Sequence, residues 1–366
     1  MKNSFFRILI LALVISLLGV LSIYSSTYQK QGAWQDIYMR QVLWLIMGLV
    51  CYFLVSGFNY RKLWDANYFI YGVALFFLFL VFGLGIIRLG AQRWLRFAWF
   101  NFQPSEFAKL AIIIFLARYF SRKSANDTSL LSGKFGIFQG IILPFIFVAV
   151  PMLLIIEQPD LGSGLMLMLI FVCLLYLTDV RLKYIFTFLI LLVSPLPFLW
   201  HHLHDYQKQR LLVFLNPNID PLGAGYTIIQ SRIAIGSGGF FGRGWLSGTQ
   251  SQLYFLPESH TDFIFATFSE QWGFLGGCLL ILLYYLIIHE GFAIAHRTQD
   301  EFGKLLAYGI SLLFSLQVFI NIAMNMGLAP VVGIPLPLMS YGGSSILATF
   351  IALGILANID RTRNVF

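Results

Sequence analysis

Long apolar stretches alternate with short polar connections along almost the whole chain. Ten stretches approach the roughly 20 residues that an α-helix needs to cross a bilayer. These predicted spans are residues 5–25, 40–57, 65–86, 106–121, 138–156, 163–178, 182–200, 262–288, 303–327 and 339–358. A long polar, glycine-rich segment, about residues 201–261, interrupts the series between the seventh and eighth spans. Because the runs are long and do not alternate, they predict an all-α integral membrane protein, a polytopic bundle of about ten helices forming a single domain over residues 1–366.

Composition supports this interpretation. Of the 366 residues, 58% are hydrophobic and 11% are charged, whereas a soluble domain is about half apolar and about a quarter charged. The net charge of +8 bears on membrane topology first. No compact basic tract indicates a nucleic-acid partner. The three cysteines, Cys51, Cys173 and Cys278, all lie in predicted spans, so neither a disulfide framework nor a metal site follows from them.

Lysines and arginines predict the orientation. With the N-terminus in the cytoplasm, the inner connections are short and basic, and both termini lie inside. We interpret the first run, 5–25, as an uncleaved helix because it is as long as a full span. The outer face then holds the 201–261 segment and most of the glycine- and proline-rich sequence. Irregular backbone at membrane depth is tolerated where protein buries it or where it lines a wet cavity, so we expect the functional site on the outer face.

The fourth span begins with two charges that are three residues apart. In "QPSEFAK", Pro104 suits the first helical turn, and Glu106 and Lys109 therefore share one face of the helix. They form either a structural ion pair or a pair lining a polar cavity, because ionisable groups inside a membrane are functional candidates by default. The sequence leaves both interpretations open.

Two other charged groups border predicted spans on the same face. Arg93 and Arg96 lie beside tryptophans of the kind found in interfacial belts, although positive charge is disfavoured on this side. In "EQPDLGSG", Asp160 precedes the sixth span and is placed to cap that helix.

Two glycine-rich segments add polar candidates. "GYTIIQSRIAIGSGGFFGRG" places Ser231 and Arg232 before a glycine-dense turn, whose exposed amides would suit an anion, although ordinary loops are also rich in glycine. Arg210 precedes it in the long segment. "PLPLMSYGGSS" places Tyr341 and Ser344 in a broken stretch at the outer membrane edge, which is consistent with a loop lining a cavity.

The stretch "PESHTDFIFATFSEQWG" sets acids against the start of the eighth span. Glu258 and Asp262 lie close in sequence, whereas Glu270 is about 12 Å further along a helix with a 1.5 Å rise. Asp262 and Glu270 therefore do not form a carboxylate dyad. Asp262 is either a helix N-cap or a lone base that acts with cations from other segments. His260 is assigned to local hydrogen bonding.

Seven motifs follow one another across nearly the whole chain: "RWL", "QPSEFAK", "EQPDLGSG", "QSRIAIGSGGFFGRG", "LPESHTDFIFA", "EQWGFLG" and "PLPLMSYGGSS". Together, and in this order, they resemble the SEDS family (shape, elongation, division and sporulation). The short termini and the length are more similar to its elongation branch, RodA, than to its division branch, FtsW. The resemblance implies a ten-helix glycosyltransferase that polymerises lipid II on the outer face of the cytoplasmic membrane, with a class B penicillin-binding protein as partner. It also implies that Asp262 is catalytic and that Glu106, Lys109 and Asp160 belong to the cavity.

The implied reaction is an inverting displacement that releases undecaprenyl diphosphate. An acceptor hydroxyl needs one base, and a diphosphate leaving group needs positive charge nearby. We therefore predict that Asp262 is the general base and that Lys109 and Arg232 bind phosphate or orient the sugars. The available cations on the predicted outer face are Arg93, Arg96, Lys109, Arg210, Arg232 and Arg243. The sequence leaves the cofactor open, because a divalent cation, Mg²⁺ or Mn²⁺, held by Asp262 could share this task.

Other functions fit the same spans. A lipid II flippase also needs many helices and a polar interior, but its polar groups must face both leaflets in turn. This chain instead concentrates acids and glycines on one face, which favours a polymerase. A division-type polymerase and a structural scaffold for cell-wall synthases are the remaining alternatives.

Overall fold

A computed structural model describes residues 2–28, 36–88, 91–97, 100–126, 137–178, 180–194, 205–223 and 225–362. Within these ranges the chain forms thirteen α-helices and one small sheet. The elements are α1 (Lys2–Thr27), α2 (Ile37–Gly57), α3 (Lys62–Leu84), β1 (Gly85–Arg88), β2 (Ala91–Phe97), β3 (Phe100–Phe102), α4 (Pro104–Asn126), α5 (Leu143–Glu157), α6 (Leu161–Tyr176), α7 (Leu182–Val193), α8 (Asp205–Leu215), α9 (Tyr226–Ser237), α10 (Thr249–Gln252), α11 (Ile264–Arg297), α12 (Glu301–Asn325) and α13 (Gly343–Thr362). A π-helical turn, Phe138–Ile142, leads into α5, and a 3-10 turn, Pro217–Ile219, follows α8.

The ten predicted spans coincide with α1 to α7 and α11 to α13. In the described part of the chain, seven helices are long and apolar enough to cross a membrane, namely α1, α2, α3, α5 with its π turn, α11, α12 and α13. The apolar helices α6 and α7 are shorter, with 16 and 12 residues. Residues 195–200 of the seventh predicted span lie outside the described ranges. The prediction of a polytopic helical membrane protein is confirmed.

The prediction missed a three-stranded antiparallel sheet, in the order β1-β2-β3, between α3 and α4. Residues 85 and 86, which we assigned to the third span, belong instead to β1, where Gly85 pairs with Leu95 of β2. The pairing shifts register where Ile86 pairs with Trp94 and Ile87 with Gln92, so Arg93 is the extra residue at an irregularity of β2. Further along β2, Leu95 is buried and Arg96 is exposed, as expected from side chains that alternate between the two faces of a strand.

Packing of the helices brings segments that are distant in sequence together. α13 lies against α2, α11 against α12, and α4 against both α3 and α12. One continuous apolar core includes buried side chains from α1 to α7 and from α11 to α13. A Cβ on Gly354 of α13 would lie 3.0 Å from the Tyr52 carbonyl oxygen of α2, so this glycine permits the two helices to approach closely.

α11 is broken at Gly273, whose φ of 66° and ψ of −163° are not helical. Residues 239–244 insert their backbone into the break. The amides of Phe274 and Leu275 donate to the carbonyls of Gly239 and Phe240, at 2.9 and 3.2 Å. In return, the amides of Arg243 and Gly244 donate to the carbonyls of Glu270 and Gln271, at 3.0 and 3.1 Å. The inserted segment thus satisfies backbone groups that the break releases, as a membrane-spanning helix requires.

This insertion explains the glycine-dense turn. Gly242 has a φ of 86°, and a Cβ at that position would collide with the Gln271 carbonyl oxygen. The amides of Gly242, Arg243 and Gly244 all donate to protein carbonyls. The hypothesis that these exposed amides bind an anion is therefore wrong, because the glycines serve close backbone packing instead.

Glu270 has a structural role in the same region. Its carboxylate is fully buried and accepts hydrogen bonds from the amides of Gln250 and Ser251, at 2.8 and 3.2 Å, and from the Ser251 hydroxyl at 3.1 Å. These contacts cap the short α10. Glu270 therefore ties the segment before α11 to the first half of that helix.

Candidate active site

Asp262 lies immediately before α11 and is partly buried. The helix begins at Ile264, and Phe263 occupies the cap position. The alternative interpretation of Asp262 as an N-cap is therefore wrong. A Cβ on Gly333, in the loop between α12 and α13, would lie 3.5 Å from Asp262 Oδ2. The loop backbone thus passes beside the carboxylate.

Charged groups from four segments act on the Asp262 carboxylate. Burial raises the pKa of Asp262 from 3.8 to about 6, and the negative charges of Glu258 and Asp160 add to this effect. The guanidinium groups of Arg93 and Arg210 lower the pKa. A carboxylate that titrates near pH 6 is ionised at neutral pH and is still basic enough to accept a proton, which suits a general base.

Arg93 reaches from β2 to the turn between α5 and α6. Its guanidinium donates to the carbonyls of Gln158, at 3.3 Å, and Pro159, and it lies 3.9 Å from the Asp160 carboxylate. The arginine is thereby held in place on the side of the bundle that carries Asp262.

Asp160 is buried and caps α6, as predicted, by accepting a hydrogen bond from the Ser163 amide at 3.2 Å. It also accepts from Gln103 and Ser105, both at 3.4 Å, and so joins α6 to the start of α4. The aspartate is both a helix cap and part of the charged cluster around Asp262.

Glu106 and Lys109 form a buried ion pair in α4, with 2.7 Å between Lys109 Nζ and Glu106 Oε1. The prediction that they share one helical face is confirmed. A small cavity of about 20 Å³ lies beside Glu106 and is also lined by Gln317 and Thr349. A space of this size holds about one water molecule.

The loop before α13 packs against the segment that carries Asp262. The Tyr341 amide donates to the His260 carbonyl at 2.9 Å, and the rings of these two residues are 5.8 Å apart. Ser344 Oγ accepts from the Gln103 amide at 2.9 Å and donates to the Asn101 carbonyl at 3.3 Å. Ser344 thus joins the start of α13 to the connection between β3 and α4.

The remaining candidates occupy different environments. Ser231 is fully buried, and its hydroxyl donates to the Asn325 carbonyl at 2.7 Å, which joins α9 to α12. Arg232, the next residue, is exposed, as is Arg96 on β2. Glu258 has a φ of 50° and accepts from the Thr261 hydroxyl at 2.9 Å. Such backbone strain is often found at functional sites.

Comparison with known proteins gives the family. A model of the cell cycle protein family FTSW_RODA_SPOVE matches residues 3–365. This chain belongs to the FtsW/RodA/SpoVE family. It is 42% identical to the peptidoglycan glycosyltransferase MrdB of Escherichia coli K12, over 95% of this chain and 93% of that protein. It is 32% identical to the peptidoglycan glycosyltransferase RodA of Treponema pallidum, over 97% of each chain.

A solved structure supports the same assignment. It is described as "structural coordination of polymerization and crosslinking by a peptidoglycan synthase complex" and superposes with a TM-score of 0.82 at 31% identity. The likeness covers 98% of each chain. The FtsW/RodA/SpoVE fold therefore extends over nearly the whole protein.

Three residues beside the site were missed by our sequence analysis. Asn321, Asn325 and Ser340 are buried and hydrogen-bonded to the segment that carries Asp262. The signal was present, because two asparagines four residues apart in the apolar sequence "NIAMN" lie on one face of a membrane helix, where polar groups are costly.

Few side chains near Asp262 could hold a metal ion. Among the described residues, no three His, Cys, Asp or Glu side chains gather into a possible metal site. Mg²⁺ is commonly bound by one or two carboxylates together with substrate phosphates. Asp262 and Glu258 are the residues that would hold such an ion, which would supply positive charge to a diphosphate.

Proposed function

We propose that this protein is a peptidoglycan glycosyltransferase that polymerises lipid II into β-1,4-linked glycan strands. One observation carries the proposal: the Asp262 carboxylate, with a pKa of about 6, lies within the electrostatic reach of two arginines from separate segments. A base beside fixed positive charge suits a hydroxyl nucleophile and a diphosphate leaving group. The names of the relatives support the same activity.

The reaction would proceed by one inverting displacement. Asp262 accepts the proton of the acceptor's 4-hydroxyl as that oxygen attacks the anomeric carbon of the donor's muramoyl sugar. The bond between this carbon and the diphosphate breaks, and undecaprenyl diphosphate leaves with the electron pair. Because the pKa of Asp262 is about 6, the carboxylate is mostly ionised at pH 7 and available as a base.

The structure favours a different pair of phosphate-binding cations from the pair that we predicted. Lys109 is buried and paired with Glu106, and Arg232 is an exposed residue of α9. Arg93 and Arg210 are the cations whose charge acts on Asp262. We propose that these two arginines stabilise the developing charge of the diphosphate.

An apolar cavity of about 730 Å³ supports a lipid substrate. It lies between α2, α3, α4 and α13 and is lined by apolar side chains such as Phe69, Phe77, Phe107 and Ile351. Its lining reaches Phe102 and Pro104, next to the connection that Ser344 holds. An isoprenoid chain has the shape and polarity to occupy such a space.

We place the active site on the outer face of a bacterial inner membrane, with both termini in the cytoplasm. The short basic connections on the opposite side support this orientation. The partner would be a class B penicillin-binding protein, and the likeness to a chain of a peptidoglycan synthase complex supports it.

Polymerisation by the purified protein with its partner tests the proposal. Asp262→Asn should lower the rate by about 10²- to 10⁴-fold, the usual contribution of a general base. Asp65→Asn is the matched control, because Asp65 is an exposed acid at the start of α3. Near-normal polymerisation by a folded Asp262→Asn variant would show that another group is the base. Leaflet exchange of lipid II without polymer would instead support a flippase.

A further inference from the structure

Three consecutive carbonyl groups that end at Asp262 are each held by a donor from outside α11. The His260 carbonyl accepts from the Tyr341 amide at 2.9 Å, and the Thr261 carbonyl accepts from the Ser340 hydroxyl at 2.6 Å. The Asp262 carbonyl accepts from the carboxamides of two asparagines, Asn321 and Asn325, both at 3.0 Å. The backbone at Asp262 is therefore fixed by α12 and by the loop that follows it.

The side-chain amide of Asn325 replaces a backbone hydrogen bond that a regular helix would make at Asp262. In a regular helix the Asp262 carbonyl would accept from the Ala266 amide, four residues on. Here Asn325 Oδ1 accepts from that amide at 3.2 Å, while Asn325 Nδ2 donates to the Asp262 carbonyl. The side-chain amide thus bridges both groups, and the first turn of α11 stays open at Asp262.

Asn321 extends this bridge to the loop beside the carboxylate. Its Nδ2 also donates to the Ile334 carbonyl at 2.8 Å, and its Oδ1 accepts from Asn325 Nδ2 at 3.2 Å. Both asparagines are fully buried. Buried amides are costly unless they are hydrogen-bonded, and these two are bonded mainly to the segments that flank Asp262.

We propose that Asn321 and Asn325 are positioning residues for the glycosyl transfer, which act by holding the backbone of Asp262 in its catalytic place. This inference rests on the proposed function. Neither residue touches the reacting atoms in this scheme. Their effect passes through Asp262, whose carboxylate must meet the acceptor hydroxyl within hydrogen-bonding distance.

The expected consequence is a loss of rate without a loss of substrate binding. A displacement of about 1 Å at a reacting group can cost about 100-fold in rate. Asn325→Leu keeps the approximate side-chain size and removes both the donor and the acceptor. We expect kcat to fall by about 100-fold, while KM for lipid II changes by less than about threefold, because the substrate-binding groups remain.

Tyr52 provides a control for the loss of a buried bond between helices. It is a fully buried residue of α2, and its hydroxyl donates to the Phe5 carbonyl of α1 at 2.9 Å. Tyr52→Phe keeps the ring and removes only this bond, away from Asp262. It should lower the melting temperature and leave kcat within about threefold of the wild type.

The experiment measures kcat, KM and melting temperature for the full chain in complex with its partner, with lipid II as substrate. Loss of kcat in Asn325→Leu but not in Tyr52→Phe supports the inference. Equal kcat values in the two variants overturn it. If Asn325→Leu does not fold, Ser340→Ala takes its place, because it removes the hydroxyl bond to the Thr261 carbonyl together with one bond from the Leu336 amide.

Ser311→Ala is then the control, because the Ser311 hydroxyl bonds within its own helix. An unchanged kcat in Ser340→Ala would overturn the positioning role, and a selective fall would support it. Asp262→Asn in the same assay separates the two proposals. If this variant is active, the assignment of the base fails; if it is inactive while Asn325→Leu is active, only the positioning role fails.

Discussion

Lys109 Nζ lies 2.7 Å from Glu106 Oε1, and both side chains are buried in the bundle. Removal of one partner from such a pair leaves an uncompensated charge, which costs about 3–5 kcal/mol. Lys109→Met should therefore destabilise the protein strongly, and the double variant Glu106→Gln/Lys109→Met should recover much of that loss. Thermal unfolding in detergent measures both effects. A double variant less stable than the single one would contradict a mainly structural pairing.

The acidic limb of the pH–rate profile should report the ionisation of Asp262. This group accepts a proton only when it is ionised, so the rate should rise with pH through about 6. Glu258→Gln removes a negative charge that raises the pKa of Asp262, and the limb should move to lower pH. Arg210→Gln removes a positive charge that lowers it, and the limb should move to higher pH. Shifts in the same direction for both variants would contradict this electrostatic arrangement.

The break in α11 should depend on glycine at position 242. Gly242→Ala places a methyl group against the Gln271 carbonyl and strains a φ of 86°, so both stability and polymerisation should fall. Gly236→Ala is the matched control, because a Cβ there meets nothing within 4 Å and the residue is helical. The control should be neutral or more stable by up to about 1 kcal/mol. Differential scanning fluorimetry and the polymerisation assay compare the two, and equal stability would contradict the insertion.

The capping role of Glu270 should appear as a loss of local order. Glu270→Gln replaces an oxygen that accepts from backbone amides of α10 with a donor, at an expected cost of about 1–3 kcal/mol. Hydrogen exchange should quicken in residues 249–252. Glu301→Gln, at an exposed acid of α12, is the control and should change neither quantity. Unchanged exchange in Glu270→Gln would show that α10 does not need this cap.

The sequence by itself determined the membrane-spanning helices, since hydropathy and length decide which segments enter a bilayer. Local spacing was also sufficient for the pairing of Glu106 with Lys109 and for the cap at Asp160, because both depend on residues three apart in one helix. The spacing along the sequence also excluded a carboxylate dyad of Asp262 and Glu270. In the structure, Glu270 instead caps α10.

Only the tertiary structure decided which distant groups meet. Arg93 and Arg210 act on Asp262 although they lie in a strand and a helix far from it in sequence, and only the packing of those elements brings their charges together. The insertion of residues 239–244 at Gly273 and the bridge from Asn325 to Asp262 have the same origin. In each case, backbone groups freed by irregular structure inside an apolar bundle must find partners. Hydropathy and local spacing do not specify which distant segment supplies them.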